Sequence, residues 1–242
     1  MAKRWKRATK RVTMAWRHRL IADAPPWLRR VGAKPATWAD MLLIDHGIFR
    51  IIYLNKHKLS ETAWRSAQPT PQHIASAANA GIKTIVNLRG ERDCGSYWLE
   101  RAACARYGLN LVNFQVRSRA APSKEELWGA KFMLDRVEYP ILLHCKSGSD
   151  RAGLMSVLYK HLKLGVPMSD AKHELSLRYG HIRQSDTGIL DAFFERYLAD
   201  TRNRPMEFYD WVDQVYDPKE LKSSYVAKGW ANRIINGFLR RE

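Results

Sequence analysis

The chain has 242 residues, 45% of them hydrophobic, with 41 Lys+Arg against 24 Asp+Glu and a formal charge of +17. That length suffices for one mid-sized domain with terminal additions and argues against a second full domain. There is no apolar run of the roughly eighteen residues that a membrane-spanning helix needs, and the basic N-terminus lacks the continuous apolar stretch of a secretory signal, so a cytoplasmic protein is expected.

In chain order, the first feature is a basic amphipathic segment. Residues 1–35 hold 11 Lys+Arg and one acid, Asp23, for a charge of +10. On a helical wheel Trp5, Val12, Trp16 and Leu20 share one side, and Pro25-Pro26 ends the pattern. Strands are expected near Phe49–Tyr53, Ala63–Ser66, Thr84–Leu88, Leu109–Val116 and Ile141–Cys145, where short apolar runs are bounded by turn residues. Thr70-Pro71 reads as a cap with proline at the first helical position, and Ser123-Lys124-Glu125-Glu126 as a capping box. After Arg151 the pattern is helical, at about 154–164, 169–179, 187–202 and 206–216, with Gly165 and Gly180 punctuating helix ends. Trp230, Ile234, Ile235, Phe238 and Leu239 form a second apolar stripe in residues 219–242, which carry +4 and leave only +3 for the middle of the chain. Strands early and helices late predict an α/β fold, with a central, mostly parallel sheet of about five strands flanked by helices.

Chemistry concentrates in His144-Cys145-Lys146-Ser147-Gly148-Ser149-Asp150-Arg151. The segment lies between the strand ending at Cys145 and a helix, so unpaired backbone N–H groups and the positive end of a helix dipole converge on any anion in the turn. The same donors favour thiolate, the nucleophilic form of a cysteine, at Cys145. Arg151 offers a planar fork that holds two phosphate oxygens at once. Cysteine followed six positions later by arginine is a weak signal by itself in an arginine-rich chain. A structural buried cysteine and an inactive phosphate-binding loop are the competing readings.

The loop resembles the His-Cys-x5-Arg signature of the protein tyrosine and dual-specificity phosphatase superfamily. The likeness extends to Trp64-Arg65-Ser66-Ala67-Gln68-Pro69, the helix from Thr70, and Gly81 to Gly90, which look like the first half of compact bacterial dual-specificity-type phosphatases. The resemblance implies a phosphatase fold over residues 41–204, with a basic N-terminal extension at 1–40 and a helical C-terminal extension at 205–242. It further implies a Cys-phosphoenzyme mechanism with no metal or other cofactor. Carried over by position, Cys145 attacks phosphorus, the backbone of Lys146, Ser147, Gly148, Ser149 and Asp150 cradles the phosphate, Arg151 clamps it, and His144 supports the thiolate from behind.

Two positions depart from the family pattern. Ala152 stands where a hydroxyl residue helps sulfur leave, and the loop Val116-Arg117-Ser118-Arg119-Ala120-Ala121-Pro122 lacks the aspartate that serves as general acid. Asp150 is the alternative proton donor, by likeness to myotubularin-type and Sac-type phosphatases; the other reading makes it a helix cap or an orienter of Arg151. Arg117 and Arg119 suggest a substrate with more than one anionic group, or else a solvated surface pair. Gln184 is either a water-orienting glutamine or an ordinary turn residue.

Three cysteines, Cys94, Cys104 and Cys145, make neither a CxxC pair nor a metal-ligand cluster, which suits a reducing compartment. Cys94 or Cys104 is either a disulfide partner that protects an oxidised Cys145 or a simple thiol. The expected partner is a phosphorylated protein, with a phospholipid or inositol phosphate as the alternative substrate and a non-catalytic phosphate-binding adaptor as the reading from another class. The basic termini fit an anionic membrane surface, helices packed back on the domain, or a disordered tail; no nucleic-acid module is recognisable.

Overall fold

The computed structural model describes residues 37–41 and 53–225. The basic amphipathic segment within residues 1–35, nearly all of the strand expected at 49–53 and the stripe at 230–239 lie outside them. Five strands, β1 (His57–Ser60), β2 (Ala63–Ala67), β3 (Thr84–Asn87), β4 (Asn110–Asn113) and β5 (Ile141–Cys145), form one sheet in the order β1-β2-β5-β3-β4. Among the described residues only β1 and β2 pair antiparallel. The central strand β5 carries Cys145 at its carboxyl end, with Ala67 of β2 in register beside it.

Helices α1 (Pro71–Asn79) and α2 (Gly95–Tyr107) cover one face of this sheet, and α3 (Lys124–Arg136), α4 (Asp150–Leu164), α5 (Met168–Ala171), α6 (Ile189–Asp200) and α7 (Phe208–Gln214) build the other side. Side chains alternate along a strand, so β5 splits its apolar run: Leu142 packs with Ile74, Ile85 and Cys104, while Ile141 and Leu143 join Leu127, Leu158 and Phe193. Burial on both faces explains why β5 reads as continuously apolar. Both capping boxes form: Thr70 accepts from His73 N, and Ser123 accepts from Glu126 N while Ser123 N donates to Glu126 Oε2 at 2.8 Å. Phe208, Trp211, Val212, Tyr216 and Leu221 share the core of α4 and α6, so the described part of the segment after residue 205 is built into the main body. Among the described residues no helix is long and apolar enough to cross a membrane.

The largest departure from expectation is at 169–179, which is not one helix. It divides into α5 and two 3-10 turns, Lys172–Glu174 and Leu177–Tyr179, separated by Ser176 in extended conformation. The break turns Glu174 inward, where it is 3% exposed and paired with Arg65. Strand β1, His-Lys-Leu-Ser, lacks an apolar run because it is an edge strand with one buried residue, Leu59. Helix α2 hides its inner face behind a polar residue, the fully buried Glu100.

Candidate active site

Residues 146–149 link β5 to α4, whose first two residues are Asp150 and Arg151. The carbonyls of this loop are taken up from outside it. Gln68 N–H reaches Lys146 O at 3.4 Å. Asn55 Nδ2 donates to Ser147 O at 2.9 Å, and Arg65 donates to Gly148 O at 2.7 Å and Ser149 O at 3.0 Å. In a planar trans peptide the following N–H points opposite to the carbonyl. Carbonyls drawn toward residues 55–68 therefore turn the N–H groups of Ser147, Gly148, Ser149 and Asp150 the other way. The first four N–H groups of a helix have no partner within it, which extends the donor array into α4. Such an array binds an anion.

Gly148 has φ +76, and a Cβ there would come within 2.7 Å of Ala67 N and Ser66 C. Those contacts are backbone, so the loop itself must shift. Gly148→Ala is expected to cut affinity for orthophosphate or vanadate by about tenfold or more, since a misplacement near 1 Å disrupts oriented binding on that scale. Isothermal titration would read it, and unchanged affinity would contradict this loop geometry.

Cys145 is 2% exposed, stands at the base of the loop and belongs to the main core cluster. Behind it His144 Nε2 lies 2.5 Å from Glu100 Oε1, with both side chains fully buried. Gln68 Nε2 donates to the second oxygen of Glu100 at 2.7 Å, and Arg89 donates to Gln68 Oε1. A buried polar chain thus runs from Arg89 to the strand carrying the cysteine. Such a chain fixes geometry because each member would be orphaned by movement of the next.

Sequence reading missed the supports. Asn55 adopts φ +50, is 6% exposed, and donates also to Tyr179 O at 3.0 Å, while His57 Nε2 sits 2.9 Å from its Oδ1. Arg65, with no exposure, pairs with Glu174 at 2.7 Å and lies 4.2 Å from the Tyr179 ring centroid. An arginine inside an apolar strand was the available signal for it. His181, 1% exposed, holds Asp150 Oδ1 at 2.8 Å and Asp191 Oδ2 at 2.7 Å.

Of the other expected site residues, Arg117 is committed elsewhere: Nε and Nη2 bind Glu126 at 3.0 and 2.8 Å. The carboxylate that closes the α3 capping box therefore also meets this cation, whose side chain stays half exposed. Arg119 is exposed, and Gln184 lines a cavity of about 280 Å³ with His181, Lys172, His173 and Arg183. Burial, reinforced by Glu100, pushes the Cys104 thiol up to about 12, which leaves it a poor nucleophile for a protective disulfide.

A parallel strand ending in cysteine, an amide-lined loop and a helix that begins Asp150-Arg151 make up the arrangement of the protein tyrosine and dual-specificity phosphatase superfamily. Residues 52–189 match the family described as DSP-PTPase phosphatase fused to NAD+ kinase, and the chain belongs to that family. It is 27% and 26% identical over 123 residues to the dual specificity protein phosphatase TpbA of two Pseudomonas aeruginosa strains, covering 50% of this chain and 53% of each relative. The chain thus spans about half the length of the curated relatives it matches. The crystal structure of P. aeruginosa TpbA is similar to 59% of this chain and 84% of its own, with 23% identity and a TM-score of 0.49. For a putative phosphatase from Shewanella putrefaciens the values are 63% and 97%, 16% and 0.48.

Proposed function

We propose that the protein hydrolyses phosphate monoesters on proteins through a Cys145-phosphoenzyme. The observation that carries this reading is the outward fastening of the loop carbonyls by Gln68, Asn55 and Arg65, which directs the amide donors of 147–150 at one anion beside Cys145. In the first step the Cys145 thiolate forms an S–P bond as the ester P–O bond breaks, and the departing oxygen takes a proton. That proton comes from solvent water, because Asp150, the donor expected from the sequence, serves as a carboxylate in the contact with His181. In the second step water attacks phosphorus, the S–P bond breaks, and inorganic phosphate leaves with regeneration of the thiolate. Arg151 and the amides hold the three equatorial oxygens in both steps. Ala152 offers no hydroxyl to the departing sulfur, so the second step is the slower one.

The lipid and inositol phosphate reading leaned on Asp150, which His181 holds, on Arg117, which meets Glu126, on the exposed Arg119 and on termini outside the described residues; it stays the alternative that the substrate panel tests. The test is hydrolysis of an aryl phosphate and of phosphotyrosyl and phosphoseryl peptides beside a phosphoinositide and phosphatidylglycerophosphate, with rapid acid quenching to trap phosphate on the protein. Peptide hydrolysis inhibited by vanadate, with phosphate bound through sulfur, is expected. Preference for the lipids would reassign the substrate, and orthophosphate binding without hydrolysis of any ester would leave a phosphate-binding adaptor.

A further inference from the structure

His181 follows Gly180, whose φ of +79 turns the chain back after the Leu177–Tyr179 turn. Its backbone is fixed by His181 N donating to Ser176 O at 3.1 Å, and its ring is buried between two helices. Nδ1 meets Asp150, the first residue of α4, at 2.8 Å; Nε2 meets Asp191, in the first turn of α6, at 2.7 Å. A neutral imidazole carries a single N–H and donates to one acceptor only. Two carboxylate oxygens at these distances require both ring nitrogens to donate, and so an imidazolium.

We propose that His181 is a positioning residue for the phosphate site: its protonated ring ties Asp150 to Asp191, fixing the start of α4 and with it the aim of Arg151. This rests on the reading of Cys145 and Arg151 as a phosphatase site and adds a means of regulation by pH. Neither end of the bridge can move without orphaning the other carboxylate, and Arg151 is the next residue along the helix from Asp150. Burial pushes the His181 pKa down, but the hydrogen bonds and charges of Asp150 and Asp191 outweigh it and raise it to about 9. The remaining charged or titratable groups on the adjoining cavity are Lys172, His173, Arg183 and Glu195, with Glu195 bound to Arg183. A folded-state pKa above the usual 6.5 means that the bridge is intact at neutral pH and is lost as pH rises through about 9.

The experiment measures kcat and KM for an aryl phosphate from pH 6 to 10 in the whole chain, in His181→Gln, in Asp191→Asn and in the double variant. For the wild type, kcat/KM is expected to decline above about pH 9. Glutamine donates once to Asp150, so His181→Gln should lower kcat/KM by about ten- to a hundredfold at neutral pH and flatten the alkaline limb. In the double variant the carboxamide introduced at position 191 can donate to the glutamine oxygen, restoring the bridge without charge, and part of the loss should return. Asp191→Asn alone removes one carboxylate and should move the alkaline limb to lower pH. If His181→Gln does not fold, that limb in Asp191→Asn decides the matter. Wild-type kcat/KM with an unmoved limb in either single variant would overturn the assignment. Activity that survives Cys145→Ser would instead overturn the phosphatase mechanism on which it rests.

Discussion

Replacing Arg65 by methionine is expected to lower the stability of the fold by about 3–5 kcal/mol, the range for breaking a buried ion pair by removing one partner. The guanidinium has no exposure and donates to Glu174 O, Glu174 Oε2, Gly148 O and Ser149 O at 2.7, 2.7, 2.7 and 3.0 Å. Methionine fills much of the volume and makes none of these bonds. Glu174, its side chain 4% exposed, would keep Lys160 at 2.5 Å, which places the loss toward the lower end of the range. Glu174 O and Gly148 O would be left to find other donors, while Ser149 O keeps Gly153 N at 2.7 Å. The same change loosens the loop from behind, so affinity for orthophosphate should fall together with stability. Urea denaturation of Arg65→Met and of Arg65→Met/Glu174→Gln separates the terms. The second variant removes a buried carboxylate left with Lys160 as its remaining cation and should recover part of the stability while phosphate affinity stays low, because the loop carbonyls lose Arg65 in both variants. A loss below about 1 kcal/mol in the single variant would mean that the pair is a dispensable surface-like contact.

What could be read from the sequence was local, and what could not was long-range. The apolar run before Cys145 and the helix after it follow from periodicity within a dozen residues. Arg65, Asn55 and His181 act at separations of 83, 92 and 31 residues from their loop partners, and no periodicity marks such a pairing. Arg65 sat within the quoted motif as a strand residue, yet only the fold brings Glu174, Gly148 and Ser149 to it. The expected helix at 169–179 failed for the same reason, since its helical pattern yields to the ion pair that draws Glu174 inward. Arg117 is different. Its partner Glu126 was already identified as the third residue of a capping box, nine residues along, and an acid so near an exposed cation was a signal of this ion pair.

Changing Cys145 to serine is expected to lower turnover of an aryl phosphate by on the order of 10⁴–10⁶, the scale seen when a nucleophile acting within a catalytic unit is removed. A serine hydroxyl ionises far less readily than a thiol, and an array of amide donors cannot supply a base to take the hydroxyl proton. The phosphate cradle is made of backbone held by Gln68, Asn55 and Arg65, none of which the change touches. Orthophosphate affinity should therefore survive, and no phosphate should be trapped on the protein. Arg151→Lys makes the complementary case. It leaves the nucleophile in place but replaces a planar fork by a point charge, so turnover should drop by about 10²–10³ and oxyanion affinity should weaken with it. Serine at 145 thus separates chemistry from binding, and lysine at 151 lowers both. Were both variants to lose oxyanion binding equally while retaining a common residual rate, neither side chain would have the role assigned to it, and the loop would be only a structural turn at the end of β5.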